Sequence, residues 1–231
     1  MASSGTYVWT MSNGETVLEA YERIQVRATS IRQEHMVSAR RALNLLLVEA
    51  SNRQVNLWKV QQNSFPLVQG TALYNLPANT VLVLDAWVSS NTGTQNQTDI
   101  YITPISRTEY ATFSNKQTPG RPTSWWMDRL ISPTLTVWPV PDASGPYVFN
   151  YFSCVQMQDA NLPGGETPDL PFRWLDWFAA ALAHRLSRYY APTLEAARKE
   201  DAKEAWIIAA SQDVEPVALA LSPTLRSYYR R

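Results

Sequence analysis

The chain has 231 residues, with 20 Lys plus Arg balanced by 20 Asp plus Glu, and 45% of it is apolar. A charged share of 17% lies below the roughly 25% of an average soluble domain. With ordinary hydrophobicity, this excludes a chain disordered throughout, which needs few apolar residues and a high net charge. Zero net charge excludes a bulk field that would draw the chain to DNA or lipid, and the single Cys154 excludes an intrachain disulfide or a cysteine-built metal site.

Residues 1–14 are small and polar and read as an extended arm. Ser12-Asn-Gly-Glu15 has the spacing of a capping box, in which side chain and backbone satisfy each other at a helix start. A short helix follows, with Val17, Leu18, Tyr21, Ile24 and Ala28 at three-to-four spacing. A second such box, Ser30-Ile-Arg-Gln33, predicts a longer helix to about Asn52. On it Met36, Ala39, Leu43, Leu46, Leu47 and Ala50 share one arc while Leu45 and Val48 fall on the other side. That pattern predicts a helix packed on several sides.

From about Val55 to Val155 the period shortens. Val55–Val60, Thr80–Val88, Leu135–Trp138 and Tyr147–Phe152 are rich in β-branched and aromatic residues between turn formers, and read as strands. Residues 61–165 hold only four basic and six acidic residues, and prolines recur near the strand ends, as in a sandwich or barrel of short strands. Ile105–Phe113 reads as one or two helical turns, and residues 89–98 as a polar hairpin tip.

After a connector over 156–168, helical periodicity returns. Pro171 suits a first helical turn, followed by Trp174, Trp177, Phe178, Ala181, Leu182, Leu186 and Tyr189 on one face. Ala191-Pro192 breaks this helix and starts another through about Asp213, with Glu195 and Lys199 spaced as an i,i+4 pair. There is no internal repeat. The reading is α+β: helical parts over 15–54 and 169–215 form one bundle, a β-rich domain is inserted over 55–168, and a tail extends over 216–231.

Catalytic signatures are absent. No Gly-rich phosphate loop and no G-x-S-x-G elbow occurs. Cys154 lies in a strand-like run without a basic neighbour to activate it, and His35 and His184, the only histidines, lack a local metal-binding spacing. These readings predict no catalytic, cofactor or metal site. Glycoside hydrolysis needs only two carboxylates brought close in space, so Glu49, Asp85, Glu109 and Asp128 are the residues for a peptidoglycan-cleaving alternative. A carbohydrate- or protein-binding β module is a further alternative, and it requires Trp87, Trp125 and Trp126 to be exposed.

Composition and two features point to contacts. Sixteen of the basic residues are Arg, and there are nine Trp and eleven Tyr. This is the bias of contact surfaces, though an aromatic β core produces the same aromatic count. Arg185 falls inside the apolar arc of its helix, where its charge pairs with a carboxylate, meets a partner, or reaches solvent past an apolar stem. The second feature is the end of the chain, where Leu219, Leu221, Leu225, Arg226, Tyr228, Tyr229, Arg230 and Arg231 combine apolar anchors with Arg, the composition of a docking peptide. The arginines of residues 1–60 are spread around their helices and form no DNA-reading stripe, leaving only weak, non-specific contact with DNA. No stretch is apolar and long enough to cross a bilayer, and no early apolar run resembles a signal peptide.

The order of several segments is informative: Ala39-Arg-Arg-Ala-Leu-Asn44, Asn56-Leu-Trp58, Gly70-Thr-Ala-Leu-Tyr-Asn-Leu-Pro77, Ile105-Ser-Arg-Thr-Glu-Tyr-Ala111, Pro119-Gly-Arg-Pro122, Trp138-Pro139 and Leu170-Pro-Phe-Arg-Trp174. Over roughly residues 15–215 this resembles the head-to-tail adaptor proteins of short-tailed bacteriophages. The resemblance implies a helical bundle carrying a β-barrel-like domain, and a ring of twelve copies, as in relatives, between the portal of the capsid and the tail nozzle or tail fibre proteins. It implies a structural role without cofactors, a place in the neck of the virion after assembly in the host cytoplasm, and a C-terminal arm reaching along the portal. The tail itself matches no family motif, so that last expectation rests on its position.

Overall fold

The computed structural model describes residues 3–53, 56–162 and 165–214. The chain is α+β, with five α-helices and two four-stranded sheets among these residues. Two helices come first, α1 (Asn13–Arg23) and α2 (Gln33–Arg53). The strands are β1 (Val60–Leu67), β2 (Leu73–Asn75), β3 (Thr80–Ser90), β4 (Thr98–Tyr101), β5 (Thr103–Pro104), β6 (Ser124–Asp128), β7 (Thr134–Trp138) and β8 (Tyr147–Val155), with a short α3 (Arg107–Thr112) between β5 and β6. Two more helices, α4 (Leu175–Tyr190) and α5 (Glu195–Ser211), complete the described chain.

The capping box at α1 forms as its sequence predicts: Ser12 Oγ accepts the Glu15 N–H and the Glu15 carboxylate accepts the Ser12 N–H. The second box does not form. Ser30 ends a 3-10 turn, and α2 starts at Gln33. There His35 Nδ1 accepts the Arg32 N–H at 3.1 Å, the task a Glu or Gln would perform. Pro171 likewise precedes a 3-10 turn over Phe172–Trp174, and α4 begins only after it.

The sheets order as β1-β8-β3-β4, all antiparallel, and β2-β7-β6-β5, in which β5 runs parallel to β6. The segment read as a strand over Val55–Val60 is instead a 3-10 turn at Leu57–Lys59, with β1 beginning at Val60. Pro66 is accommodated because β1 is an edge strand. Burial alternates along β8, with Tyr147, Phe149 and Tyr151 inward. These three pack with Val83, Ala86 and Val88 of β3 and with Trp125, Leu135 and Val137 of the other sheet in one core. The chain changes sheets at buried Ile102, whose N–H bonds Ala86 and whose carbonyl accepts from Trp125 Nε1.

A separate core joins α1, α2, α4 and α5, with α4 at its centre and Trp174, Trp177, Phe178, Leu182 and Leu186 buried. Four of the nine Trp cluster here: Trp58, Trp174, Trp177 and Trp206 have ring centroids 4.8–5.4 Å apart in successive pairs. Trp174 and Trp177 are fully buried, and an aromatic of this size covers 150–250 Å², so each of these two contributes about 4–6 kcal/mol on transfer from water.

The inserted β domain is tied to the helices where the chain crosses between them. Lys59 Nζ donates to Asp169 Oδ2 at 2.5 Å, and Trp58 Nε1 to the Asp169 carbonyl. Asn44 of α2 grips the connector like a peptide: its Oδ1 accepts the Ala160 N–H at 2.9 Å and its Nδ2 donates to the Ala160 carbonyl at 3.0 Å.

Candidate assembly surface

The helices present both charge and apolar side chains to solvent. Arg185 of α4 lies a quarter exposed against Glu49 of α2, donating to its Oε2 at 2.5 Å. Glu49 also accepts from Arg53, and the Arg53 guanidinium lies 4.4 Å over the Trp206 ring. Burial raises the Glu49 carboxyl, but hydrogen bonds and charge from Arg185 and Arg53 outweigh it and hold the group below the ordinary carboxylate range. A general acid needs the opposite shift.

Beside this network α2, α4 and α5 enclose a cleft of about 420 Å³, walled by Trp177 and Trp206 and rimmed by Arg53, Arg188, Lys199 and Lys203. His184 lines it too. Its Nε2 lies 3.3 Å from Glu195 Oε1. Burial first, then the charges of Arg188 and Lys199, lower its pKa against the pull of Glu195. Glu195 therefore serves His184 and Arg188, and the pair expected with Lys199 is not formed.

The largest departure from the sequence reading is the outer face of α2. Val37, Leu45 and Val48 are each about half exposed, at 49%, 50% and 49%, so α2 is not packed all round. At 100° per residue they sit with Arg41 opposite the buried arc of Ala39, Leu43, Leu46 and Ala50. Tyr189, expected on the buried face of α4, is 76% exposed. Its neighbour Tyr190 packs instead against Tyr21 and His35. On α5, Ile207 and Ile208 face outward, and in the arm Tyr7, Val8 and Trp9 lie open. Residues 3–12 form no helix or strand.

The other sequence-derived residues have structural surroundings. His35 caps α2, and its carbonyl accepts from the Tyr21 hydroxyl at 2.7 Å. Cys154 is buried in β8, and burial pushes its thiol pKa up, away from nucleophilic use. Asp128 pairs with Arg107 at 2.7 Å, and Asp85 accepts from the Tyr101 hydroxyl at 3.4 Å. The Glu109 N–H bonds the Ser106 cap of α3. Trp125 lies in the sandwich core, so the three tryptophans required for a binding module are not jointly exposed. Among the described residues no group of three or more His, Cys, Asp or Glu is placed to hold a metal, and no helix is long and apolar enough to cross a membrane. Leu219, Leu221, Leu225, Arg226, Tyr228, Tyr229, Arg230 and Arg231 lie outside the described residues.

Outward apolar side chains on Arg-rich helices are the composition of a contact surface. The model of the SU10 adaptor protein family matches residues 16–219. The chain belongs to that family of phage adaptors and has a structural role in the virion. No curated protein matches the chain.

Proposed function

We propose that the chain is a non-enzymatic subunit of a ring, dodecameric as in the family resemblance, that sits beneath the portal in the neck of the virion. The ring joins the portal to the tail nozzle and helps to retain and conduct packaged DNA. The observation that carries this reading is the combination of family membership with large apolar side chains turned outward on α2, α4, α5 and the arm. Patches of this kind on a folded chain mark contact surfaces. A ring needs two different, mutually complementary faces on each subunit. Zero net charge lets such a conduit lie near DNA without gripping it.

In this reading the helices over 15–54 and 169–215 act as one bundle that forms the ring, the domain over 55–168 projects from it, and residues 1–14 and 216–231 are arms. Leu219, Leu221, Leu225, Tyr228 and Tyr229 enter a groove of the portal, with Arg226, Arg230 and Arg231 engaging its carboxylates. Assembly takes place in the host cytoplasm. Electron microscopy of the particle tests the reading: density for a ring of this chain between portal and nozzle is expected, and its absence from the neck overturns the proposal. Deleting 217–231 is expected to leave a folded chain that no longer binds portal rings. Undiminished binding would remove the docking role of the tail.

A further inference from the structure

We propose that the outer face of α2 and the outer face of α5 are the two halves of one interface, α2 of one copy packing against α5 of the next. The inference rests on the ring reading and assigns the surfaces that build the ring. On α2 the face opposite the core carries Val37, Arg41, Leu45 and Val48, with Arg40 at its edge and Glu34 at its start. On α5 the buried residues Ala202, Ala205 and Ala209 define the inner arc. Glu200, Glu204, Ile207 and Ser211 lie diametrically opposite at 100° per residue, with Ile208 beside them. Each face spans about three turns, roughly 16 Å.

Charge makes the two faces a pair. Among the described residues Arg40 and Arg41 have no ion-pair partner, nor has Glu204, and Glu200 meets only exposed Lys203 at 3.5 Å. The α2 face carries Arg40 and Arg41, while the α5 face carries Glu200 and Glu204 against a single Lys203 and is net negative, and opposite potentials of this kind fix partner and register.

Position makes the pair heterologous. Helices α2 and α5 both pack on α4, which is buried between them. His35 at the start of α2 packs on Tyr190 of α4, and Arg53 at the end of α2 reaches over Trp206 of α5, which packs on Trp177 of α4. Faces turned away from a shared central helix cannot meet within one chain. They meet between copies, and a repeated contact of two different faces closes into a ring when the rotation allows. The chain's own end is a poorer occupant of the α2 face: residues 216–231 carry three Arg and no acid, and would meet Arg40 and Arg41 with like charge.

Charge reversal tests the assignment. R41E and E204R alter exposed positions, and far-UV circular dichroism of each should match the parent. Sedimentation of the purified full chain, and ring formation in assembled particles, should show each single reversal weakening association about tenfold or more. The R41E/E204R double variant, or an equal mixture of the two singles, should restore it. Oxidation of an L45C/I207C variant should give a ladder of cross-linked copies. Parental rings that tolerate both reversals, or a ladder that fails to form, overturn this interface and leave the ring reading standing. A parental chain that is monomeric in solution and forms no ring in particles overturns both. Deleting 215–231 should leave the ladder intact, and loss of the ladder would assign these faces to the tail.

Discussion

The helical part and the inserted sandwich are alike inside and unlike outside. Each core is aromatic: Trp58, Trp174, Trp177 and Trp206 in one, Phe65, Phe149, Tyr151 and Trp125 in the other. Outside, the helices carry dense Arg–carboxylate pairing interrupted by apolar stripes. Arg107–Asp128 is the one ion pair among the described residues that lies wholly within the insert. A sheet satisfies its backbone groups by pairing strands, so its surface can be neutral and polar at little cost. Helices satisfy theirs internally, and here their surface carries most of the ion pairs among the described residues. Apolar side chains stand outward on both regions, Val37, Leu45 and Ile207 on the helices and Leu73, Leu130 and Ile131 on the insert.

The sharpest way to break the comparison is to remove one core and watch the other. Trp177→Ala deletes a fully buried indole that touches Trp174, Phe178 and Trp206, and the expected loss is about 3–5 kcal/mol. Because the two cores share no buried residue, the helical signal in far-UV circular dichroism should melt first while the near-UV signal of the sandwich aromatics persists. A single shared transition at lower temperature would mean that the two regions fold as one unit.

The next test addresses the seam. Asn44→Ala removes both hydrogen bonds to the Ala160 peptide and leaves its N–H and carbonyl without those partners. The expected cost is about 1–3 kcal/mol, read from urea midpoints, with faster hydrogen exchange confined to residues 156–162. An unchanged midpoint would show that the remaining bonds hold the connector without Asn44, those of Asp169 with Lys59 and Gln158 and that of Asn13 with the Asn161 carbonyl.

Legibility in the sequence follows the same division. The long strands β3 and β8 and the core face of α4 could be read because burial on one face imposes a period on the residues. Strands β2, β4 and β5 could not: two to four residues are too few to show alternation, and they pair only through tertiary contact. Val55–Val60 misled because β-branched and aromatic residues there serve the junction, Trp58 packing on Trp174. Reading Leu45, Val48 and Tyr189 as inward equates apolarity with burial, which fails for side chains that the fold leaves at its surface. Arg185 was legible as a residue needing an answer, but its three possible answers could not be separated until Glu49 was found beside it. Asn44 and the Trp cluster carry no local signal of their roles, since each depends on residues distant in the chain.

A smaller effect separates the cleft from the rest of the helical surface. His184 has a folded pKa below its ordinary 6.5, because burial and the charges of Arg188 and Lys199 oppose protonation more than Glu195 favours it. Arg53, Arg185 and Glu49 line the same cleft. As pH falls through the unfolded value, the unfolded chain takes up a proton that the native chain refuses, so stability is complete above about 6.5 and declines below it. The lowered pKa of Glu49 acts in a separate, more acid window, its contribution being present above the ordinary carboxylate value and lost as pH falls. His184→Asn should therefore flatten the dependence of the urea midpoint on pH just below 6.5 and leave the acid limb in place. A variant retaining the full slope there would assign it to another group.

The smallest expected effect lies on the sandwich. Arg107 is 72% exposed in its pair with Asp128, and its guanidinium lies 5.7 Å from the Trp126 ring. Exposed pairs contribute about 0–1 kcal/mol, because water screens the attraction and ordering two side chains costs entropy. Arg107→Ala should shift the urea midpoint by no more than that, and the shift should vanish in high salt. Arg185→Ala should cost more, because it removes hydrogen bonds to both Glu49 and the Leu45 carbonyl at the contact between α2 and α4. If the two substitutions cost the same, surface pairing would matter equally in both regions, and the contrast between them would not survive.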